Sequence, residues 1–373
     1  MTINNEHNKI NVPNLRFPEF QGEWEKCTLE DVMNFSTTRI NSSELNEDNY
    51  VSTENMLQDY QGIMEAKSVP EDVNVISYSC GDILISNIRP YLKKVWKATF
   101  NGGCSSDVFV LKANDNIESD YLHYVIANDK FINFVMSGAK GVKMPRGDKK
   151  QMKTYSLSLP QIQEQKKIGK MLSLLDERIA TQNKVIGKLQ SLIKGIRHDI
   201  FNDIQGEVLA LSNIADIYQP QTISSSDLTT EGYWVYGANG IIGKYKEYNH
   251  ETEQICITCR GNTCGTVNYT QPKVWITGNS MVINTDKYQR QVNKRFLFHY
   301  LSAYNFKSIV SGSGQPQIVR TPLEKIKVVL PTIYKQVRIA NSIDIVSEKI
   351  DTESLVLRLL ENQKQYLLRQ MFI

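Results

Sequence analysis

The chain has 373 residues, a length that predicts two or three domains and excludes a single small module. Apolar residues make up 41% and charged residues 22%, which excludes both wholesale disorder and a fibrous architecture. Lys and Arg number 43 and Asp and Glu number 40, so a polyanionic partner must be inferred from local charge and not from the net charge of +3.

The N-terminal sequence MTINNEHNKI lacks the apolar segment of a signal peptide. No stretch of the chain approaches the roughly 20 apolar residues that a membrane span needs. The six cysteines are irregularly spaced, which favours a reducing compartment over a disulfide framework. We therefore expect a cytoplasmic protein that does not associate with a membrane.

Short β-strands are predicted between residues 24 and 159. Runs such as VNVISYS, DILIS and DVFVLKA are separated by Gly, Asn and Asp, and one helical stretch, SDYLHYVIANDKFINFVMSG, follows them and ends in Gly. Residues 208–330 show the same pattern of short strands followed by a helix, with the runs EQICIT, KVWIT and SMVIN ahead of the helical stretch KRFLFHYLSAYNFKSIVSGS. These two regions predict two similar globular domains.

A loop rich in basic residues follows the first helical stretch. Between residues 140 and 153, six Lys and Arg side chains accompany a single acidic residue, Asp148, and Gly141, Pro145 and Gly147 argue against a regular helix. An exposed loop of this composition can place backbone amides and cationic side chains along phosphates. The alternative is a solvated surface turn. The candidate nucleic-acid-binding residues of this loop are Lys140, Lys143, Arg146, Lys149 and Lys150.

Each globular region is followed by a long amphipathic helix. The series with alternating spacings of four and three residues that begins at Ile168 is apolar at nine of ten positions, and the series that begins at Ile339 is apolar at eight of ten. The polar residues Gln182 and Glu353 occupy the same position in the two series. A period of 3.5 residues predicts a supercoiled seam, so we expect the two helices to pair with each other. The alternative is that each helix packs only on its own domain.

The chain repeats itself once, with a constant offset of 171 residues between Leu159-Pro160 and Leu330-Pro331 and between Gln165 and Gln336. The repeat predicts an α+β fold in which two pseudo-symmetric α/β domains are separated by two long antiparallel coiled-coil helices. The predicted parts are a first domain with an N-terminal arm, a central long helix, a second domain and a distal long helix, at residues 1–160, 161–203, 204–331 and 332–373.

The second copy has a different loop, SGSGQPQIVR, at the place of the basic loop. Gln can pair bidentately with adenine and Arg with guanine, so this loop suits the reading of base edges. Arg89 and Arg260 occupy one position of the repeat, after the DILIS and QICIT strands, and are candidates as well. The alternatives are a solvated turn for the loop and surface salt bridges for the two arginines. The candidate nucleic-acid-binding residues of the second loop are Ser313, Gln315, Gln317 and Arg320.

No catalytic or metal-binding constellation is recognisable. None of the eleven prolines is adjacent to another, so the Pro-Pro motif of amino-methylating DNA methyltransferases is absent, and there is no GxxxxGK[ST] loop for a triphosphate. Cys256, Cys259, Cys264 and His250 have no standard zinc-ligand spacing, and a strand through ICITCR would point Cys256 and Cys259 to opposite faces. We therefore predict no catalytic residue, no metal site and no cofactor in this chain.

Apolar residues on the long helices beyond the seam predict a surface for a protein partner. The alternative is that these residues pack on the adjacent domain. The candidate interface residues are Leu174, Leu192, Leu355, Leu359 and Leu368.

Four segments resemble the specificity subunits of bacterial type I restriction-modification systems. PNLRFPEFQGEWE at residues 13–25 resembles the opening of that family, and SGSGQPQI resembles its end-of-domain loop. LSLLDERI at 172–179 and IDIVSEKI at 343–350, each following a Leu-Pro and a Gln, resemble the family's two conserved helical regions. The halves differ, since Ser347 stands where the first signature has Asp176 and the two end-of-domain loops are dissimilar.

This resemblance implies two target recognition domains that each read one half of a split DNA sequence, helices that act as a ruler between them, and no catalysis in this chain. It implies three kinds of partner: double-stranded DNA, two modification (methyltransferase) subunits that bind S-adenosylmethionine, and restriction subunits that use ATP with Mg for translocation and cleavage. Two other functions stay open, namely a scaffold that does not bind DNA and a self-contained nuclease or methyltransferase, which the missing motifs disfavour.

Overall fold

The computed structural model describes residues 11–238, 240–312 and 314–373, and the chain divides into two compact units. Unit 1 contains the chain up to Gln182 together with Val356–Ile373, and unit 2 contains Asn183–Leu355. Within the described ranges, no helix combines the length and the apolar character that a membrane crossing requires.

Unit 1 combines two four-stranded sheets, a two-stranded ribbon and several helices. Its strands are β1 (Glu25–Thr28), β2 (Met33–Phe35), β3 (Arg39–Asn41), β4 (Tyr50–Val51), β5 (Asn74–Tyr78), β6 (Ile83–Ser86), β7 (Val95–Lys97), β8 (Gly102–Cys104), β9 (Val108–Ala113) and β10 (Ser156–Leu159). Its helices are α1 (Leu29–Val32), α2 (Ser119–Ile126), α3 (Asp129–Ser137), α4 (Lys149–Lys153) and the N-terminal half of α5 (Ile162–Asp203). The sheets have the orders β2-β9-β6-β7 and β3-β5-β8-β4, and β1 pairs with β10.

Unit 2 contains the rest of α5 and a second set of sheets. Its strands are β11 (Glu207–Ala210), β12 (Asp216–Tyr218), β13 (Tyr233–Gly237), β14 (Gly240–Tyr245), β15 (Ile255–Thr258), β16 (Val267–Tyr269), β17 (Trp275–Ile276), β18 (Ser280–Asn284) and β19 (Lys327–Leu330). Its helices are α6 (Lys294–Ala303), α7 (Arg320–Glu324) and the first part of α8 (Ile333–Met371). The sheet orders are β12-β18-β15-β16 and β14-β13-β17, and β11 pairs with β19.

The two units share the topology of one sheet and of one ribbon, whereas their second sheets differ. The order β2-β9-β6-β7 in unit 1 corresponds to β12-β18-β15-β16 in unit 2, with antiparallel pairing throughout both sheets. The ribbon that leads into each long helix also recurs, since Glu25 lies opposite Leu159 and Glu207 lies opposite Leu330. The internal repeat predicted from the sequence is therefore confirmed.

The central strand of each repeated sheet is buried on both faces. In β6, Ile83 and Ile85 point into the core that α2, α3 and α5 cover, whereas Leu84 points into a separate core on the other face. In β15, Ile255 and Cys256 likewise point into two different cores. A strand covered on both faces reads as a nearly continuous apolar run, as DILIS and QICIT do.

Unit 1 contains segments of both long helices. The Nζ atom of Lys364 on α8 lies 2.6 Å from the carboxylate of Asp176 on α5. Ile168, two turns earlier on α5, is buried in the same core as Met371 at the end of α8. Residue numbers fall along one helix as they rise along the other, so the two segments run antiparallel.

Unit 2 contains the opposite ends of the same helices. Arg197 on α5 and Asp344 on α8 both contact His299 of α6, at 3.0 Å and 2.8 Å. Phe201, one turn further along α5, packs on the core that contains Ala340, one turn earlier on α8. The segments are antiparallel here too, so the predicted pairing of the helices is found within each unit.

A buried glutamine joins the first turn of each long helix to the domain before it. The Nε2 atom of Gln165 donates to the carbonyls of Pro160 (2.8 Å) and Asn116 (3.2 Å), and its Oε1 atom accepts from the backbone N–H of Glu118 (2.8 Å). Gln336 makes the same three kinds of bond, with the carbonyls of Pro331 (2.9 Å) and Gln291 (2.9 Å) and the N–H of Asn293 (2.8 Å). Each glutamine thus satisfies backbone groups that would otherwise be buried without partners.

We expect Gln165→Leu to destabilise unit 1 by about 2–4 kcal/mol, because the backbone groups of Asn116 and Glu118 lose their buried hydrogen bonds. The measurement is the free energy of unfolding in urea. Gln190→Leu, at an exposed position of the same helix, is the control and should change that free energy by less than about 0.5 kcal/mol. Equal stability of Gln165→Leu and the wild-type chain would contradict the structural role of this glutamine.

A polar cluster also fixes α6 to the long helices in unit 2. The Nε2 atom of His299 contacts the Asp344 carboxylate, its Nδ1 atom contacts the Arg197 guanidinium, and Arg295 forms a salt bridge with Asp344. Burial lowers the pKa of His299 to about 4, so the ring is neutral at neutral pH. A neutral ring protonated on Nε2 donates to Asp344 and accepts from Arg197, which satisfies both ring nitrogens.

Two buried histidines, His250 and His299, and the half-buried His123 predict how stability depends on pH. Burial lowers the pKa values of His123, His250 and His299 to about 4, below the value of about 6.5 of a histidine in an unfolded chain. The unfolded state therefore takes up these protons first as the pH falls, and the free energy of unfolding should be greatest above about pH 6.5 and decline between about pH 6.5 and 4.

The measurement is the unfolding midpoint across this pH range, for the wild-type chain and for His123→Leu. The substitution removes a half-buried ring whose Nδ1 atom has no hydrogen-bond partner among the described residues. The decline should be shallower in this variant. An identical pH profile for the two chains would show that burial of His123 does not contribute to the acid sensitivity.

Candidate nucleic-acid interface

The two candidate loops form equivalent hairpins, one in each unit. We call residues 140–146 the first loop and residues 311–317 the second loop; Ser313, a predicted binding residue, lies outside the described residues. The backbone N–H and C=O groups of Lys140 and Arg146 bond to each other at 3.0 and 2.9 Å. Those of Ser311 and Gln317 do the same, both at 2.8 Å. The two closing pairs are 171 residues apart, as the repeat requires.

Glycine is required at one position of each loop. Gly141 has a φ of +97° and Gly312 a φ of +93°, values in the left-handed region that favours glycine. An added Cβ atom would lie 3.2 Å from the carbonyl oxygen of Met144 at the first position and 2.4 Å from that of Gln315 at the second. The shape of both loops therefore depends on these glycines. It places no requirement on which side chains stand at the loop tips.

Each loop is attached to the segment that carries the equivalent arginine. The backbone N–H of Arg89 donates to the carbonyl of Pro145 at 2.8 Å, and the N–H of Gly261, next to Arg260, donates to the carbonyl of Pro316 at 3.0 Å. Arg89 adopts a φ of +49°, a conformation that costs a residue other than glycine on the order of 1 kcal/mol. Such strain is found most often at functional positions. The structure thus brings each arginine to its predicted loop.

The first loop and Arg89 together present exposed cationic side chains. Lys140 pairs with Asp148 at 3.2 Å and Arg146 pairs with Asp107 at 2.8 Å, but both pairs are at the surface, where salt bridges contribute little and exchange readily. The partner Lys140 lowers the pKa of Asp148. Of the six basic candidates discussed here, Arg89, Lys143, Lys149 and Lys150 form no salt bridge with a described residue, and all of these except Lys149 are exposed.

The expectation of an exposed loop through residue 153 is wrong, because Lys149–Lys153 form a helix whose first residue is the candidate Lys149. The helix α4 begins at this residue, because the side chain of Asp148 accepts from the N–H groups of Lys150 (2.8 Å) and Gln151 (3.3 Å) and so caps the helix. The Nζ atom of Lys149 lies over the rings of Phe35 and Phe109, at 5.0 and 4.7 Å from their centres. Burial lowers the pKa of this lysine, which is therefore a poor candidate for a phosphate contact.

In unit 2 the candidate residues border a cleft of about 370 Å³. Arg260, Gln317 and Arg320 line it together, and all three side chains are exposed. Arg320 begins α7 and pairs with Glu324 one turn later at 2.7 Å. Gln315 is exposed at the tip of the second loop. The cleft thus gathers guanidinium and amide groups of the kind that recognise phosphates and base edges.

Two further lining residues, Tyr218 and Gln219, were missed by sequence reasoning. Tyr218 is the last residue of β12 and Gln219 follows it, and the Nε2 atom of Gln219 donates to the carbonyl of Gly278. The hydroxyl of Tyr218 contacts the Nε2 atom of His250 at 2.9 Å. The signal that could have found them is the polar run YQPQT at the end of a strand that precedes the cleft.

The cysteines of unit 2 pack in or against its hydrophobic cores. Cys256 and Cys259 point into different hydrophobic clusters, as the strand alternation predicted, and burial raises the pKa of Cys256 to about 12. No group of three or more His, Cys, Asp and Glu side chains is placed to hold a metal ion within residues 11–238, 240–312 and 314–373.

Four of the five predicted partner-interface residues are exposed. Leu174, Leu192, Leu355 and Leu359 each have half or more of their surface accessible. Leu368 is only 5% exposed, because the antiparallel arrangement brings the end of α8 into the core of unit 1. The expectation that Leu368 is available to a partner is therefore wrong.

Comparison with known proteins finds similarity over most of the chain. The family model for the type I restriction modification DNA specificity domain matches residues 21–191 and 204–362. The putative type I restriction enzyme MjaX specificity subunit of Methanocaldococcus jannaschii is 28% identical over 323 residues, which cover 75% of each chain. The EcoprrI specificity subunit of Escherichia coli is 28% identical over 156 residues, which cover 40% of this chain and 37% of that protein.

Solved structures share the fold. The S subunit of a type I restriction-modification system from M. genitalium matches with a TM-score of 0.70 and 17% identity over 97% of this chain and 99% of that chain. A chain from a structure that describes complex assembly and conformational transition of the type I R-M system matches with a TM-score of 0.54 and 17% identity, over 92% and 96% of the two chains.

We expect Arg89→Ala/Lys143→Ala to weaken the salt dependence of DNA binding. Each phosphate contact contributes about 0.9 to the slope of log K against log salt, so losing two cations should reduce the slope by up to about 2. The measurement is binding of a duplex of arbitrary sequence, across a salt series, by the chain together with the modification subunits that its family resemblance implies. The control is Lys26→Ala/Lys67→Ala, which removes two exposed lysines of the same unit.

If the slope of log K against log salt is the same for the wild type and for both double variants, Arg89 and Lys143 do not contact DNA phosphates. If the wild-type chain adds no salt dependence to that of the modification subunits alone, the chain is a scaffold and not a DNA-binding subunit.

Proposed function

The chain belongs to the family of type I restriction-modification DNA specificity proteins, whose part in the enzyme is sequence recognition and not catalysis, and we propose that it reads a bipartite DNA target. In this proposal residues 1–160 and 204–331 are two target recognition domains, and each reads one half of the site. Residues 161–203 and 332–373, which include α5 and α8, set the spacing between the halves.

The observation that carries this proposal is the repeated loop with its attached arginine. Lys140 and Arg146 close one hairpin beside Arg89, and Ser311 and Gln317 close the other beside Arg260. One backbone design occurs once in each unit with different side chains on it. Recognition of two different half-sites needs two DNA-binding loops that share a backbone structure and carry different side chains.

The energetics favour two readers over one. A mismatched base pair costs about 1–3 kcal/mol, so a reader of three or four base pairs discriminates too little to specify rare sites in a genome. A second reader on the same chain adds its own discrimination, and its contact becomes intramolecular once the first has bound.

We propose that the reactions are performed by other subunits. Modification subunits would supply S-adenosylmethionine-dependent methylation of an adenine flipped out of the duplex, and restriction subunits would supply ATP- and Mg-dependent cleavage. An apolar groove of about 580 Å³ in unit 1, lined by Phe17, Met171, Leu174 and Leu367 with Lys170 at its rim, supports docking of a partner on the helices. A cytoplasmic location stays a prediction.

The test of the proposed function is to map methylated adenines in a host that expresses this chain with its modification subunits. A split sequence with a fixed spacer would support the proposal. A continuous site, or methylation that does not depend on this chain, would contradict it.

We expect deletion of one heptad from each long helix to shorten the spacer and leave both half-sites unchanged. Removing residues 182–188 and 353–359 shortens each helix by about 10 Å, which corresponds to roughly three base pairs of B-DNA. The measurement is the same methylation map, and the control is a chain of full length with exposed Lys184 and Lys188 replaced by Ala. An unchanged spacer in a methylating complex would refute the ruler.

A further inference from the structure

The β13–β14 hairpin of unit 2 exposes apolar side chains. Ile241 and Ile242 are 47% and 46% exposed, and Trp234 on the paired strand is 40% exposed. Neither the cores of unit 2 nor the second loop uses these side chains. Clustered exposed apolar residues are typical of binding surfaces and not of solvated turns.

The tip of the hairpin is held in place by two buried hydroxyl groups. The Oγ1 atom of Thr258 donates to the carbonyl of Ala238 at 2.6 Å, and the Oγ atom of Ser280 donates to the carbonyl of Gly237 at 3.3 Å. A Cβ atom added to Gly237 would lie 2.9 Å from the side chain of Ile242, so Ile242 packs over this glycine. The hairpin therefore presents its apolar residues at a fixed position.

A cross-strand pair stiffens the base of the hairpin. Trp234 lies opposite Lys244 in the register, and the Nζ atom of Lys244 lies 4.8 Å from the centre of the indole ring. The register shifts between Val235 and Tyr236, which indicates a β-bulge. Bulges increase the twist of a two-stranded ribbon and re-aim its side chains, often beside functional sites.

The hairpin adjoins the candidate cleft. Thr258, which holds the tip, ends the strand that leads to Arg260, and the Oγ1 atom of Thr263 in the loop after Arg260 also contacts the carbonyl of Ala238 at 3.4 Å. Residues 232–246, 259–265 and 311–320 contain Lys244, Lys246, Arg260 and Arg320 and no Asp or Glu. Lys246 and Arg320 pair with Glu247 (3.6 Å) and Glu324 (2.7 Å), whereas Lys244 and Arg260 form no salt bridge with a described residue. These two cations complement a polyanion beside the proposed DNA-binding cleft.

We propose that this hairpin enters the major groove of the half-site read by unit 2, and that Ile241 and Ile242 contact thymine methyl groups there. The inference rests on the proposed function and adds a means of reading bases to it. A two-stranded ribbon fits the major groove, and the C5 methyl of thymine is the apolar group on its edge. Two isoleucines have no polar atoms with which to read the other bases, so thymine is the base they select.

The experiment uses the wild-type chain assembled with its modification subunits and a duplex that carries the mapped target. Each thymine of both half-sites is replaced in turn by uracil, which pairs identically but lacks the methyl group. Uracil should weaken binding roughly four-fold at one or two positions, all in the same half-site. Burial of one methyl group contributes about this factor to the binding constant. This series requires no substitution in the protein.

The same series is then run with Ile241→Ser/Ile242→Ser, and with Val208→Ser as the matched control. Val208 is an equally exposed aliphatic residue on β11. The double variant should bind thymine and uracil duplexes equally, and the control should keep the four-fold preference. Ile241→Val/Ile242→Val should keep part of it, and its unfolding midpoint checks that the hairpin substitutions leave the fold intact.

Three results would overturn the inference: a wild-type complex indifferent to uracil, a Ser variant as sensitive as the wild type, or a Ser variant that loses assembly with the modification subunits while assembled complexes keep their uracil sensitivity. The last result would assign the hairpin to a protein partner. A wild-type complex that selects no split sequence would instead refute the proposed function, so the two failures are distinguishable.

Discussion

The hydrogen bonds of Gln165 and Gln336 join each domain to the helix that follows it, and much else in the structure depends on this join. Each amide group satisfies backbone groups on both sides of the junction, in the Leu-Pro turn and in the loop before the domain's own helix. A domain on an unrestrained Leu-Pro turn could rotate about the helix axis. Because the glutamines are buried and fully bonded, the orientation of the domain is specified to within the geometry of three hydrogen bonds.

The first and second loops belong to domains whose orientation on the helix is fixed in this way. Their shape depends on Gly141, Gly312 and the backbone bonds across each hairpin, all of which are independent of the side chains at the tips. The first loop is cationic and the second carries amides, yet both have the same closing bonds and the same attachment to an arginine segment. Backbone groups set the geometry and side chains are free to set the chemistry, so specificity can diverge between the halves at little cost in stability.

Much of the fold could be predicted from the sequence, because its signals are local and repeated. The 171-residue offset, the heptad series and the strand-like runs around DILIS and QICIT identified the repeat, both long helices and the strands at these runs. The offset also placed Arg89 and Arg260 at one position of the repeat, and the structure then showed that each lies beside a loop. Each of these inferences needed only the spacing of residues along the chain.

The errors concern long-range contacts and short structural signals. Lys149 was placed in a loop because the capping role of Asp148 within a charged run was not recognised, and its position over Phe35 and Phe109 depends on tertiary packing. Leu368 was assigned to an exposed face because helix periodicity does not indicate which domain covers the last turns. The β13–β14 hairpin was not recognised either, since its apolar residues read as an ordinary strand until their exposure is known.

The burial of Met371 and Phe372 in unit 1 has a consequence for biosynthesis. Phe372 stacks on Tyr121 at 5.3 Å, so the core of the unit made first contains residues made last. A ribosome adds about 5–20 residues per second. The core of unit 1 therefore lacks Met371 and Phe372 for on the order of ten to thirty seconds, while the whole of unit 2 is synthesised. During that interval the nascent domain exposes an apolar cleft, which makes it a natural client for chaperones and gives unit 2 the opportunity to fold first.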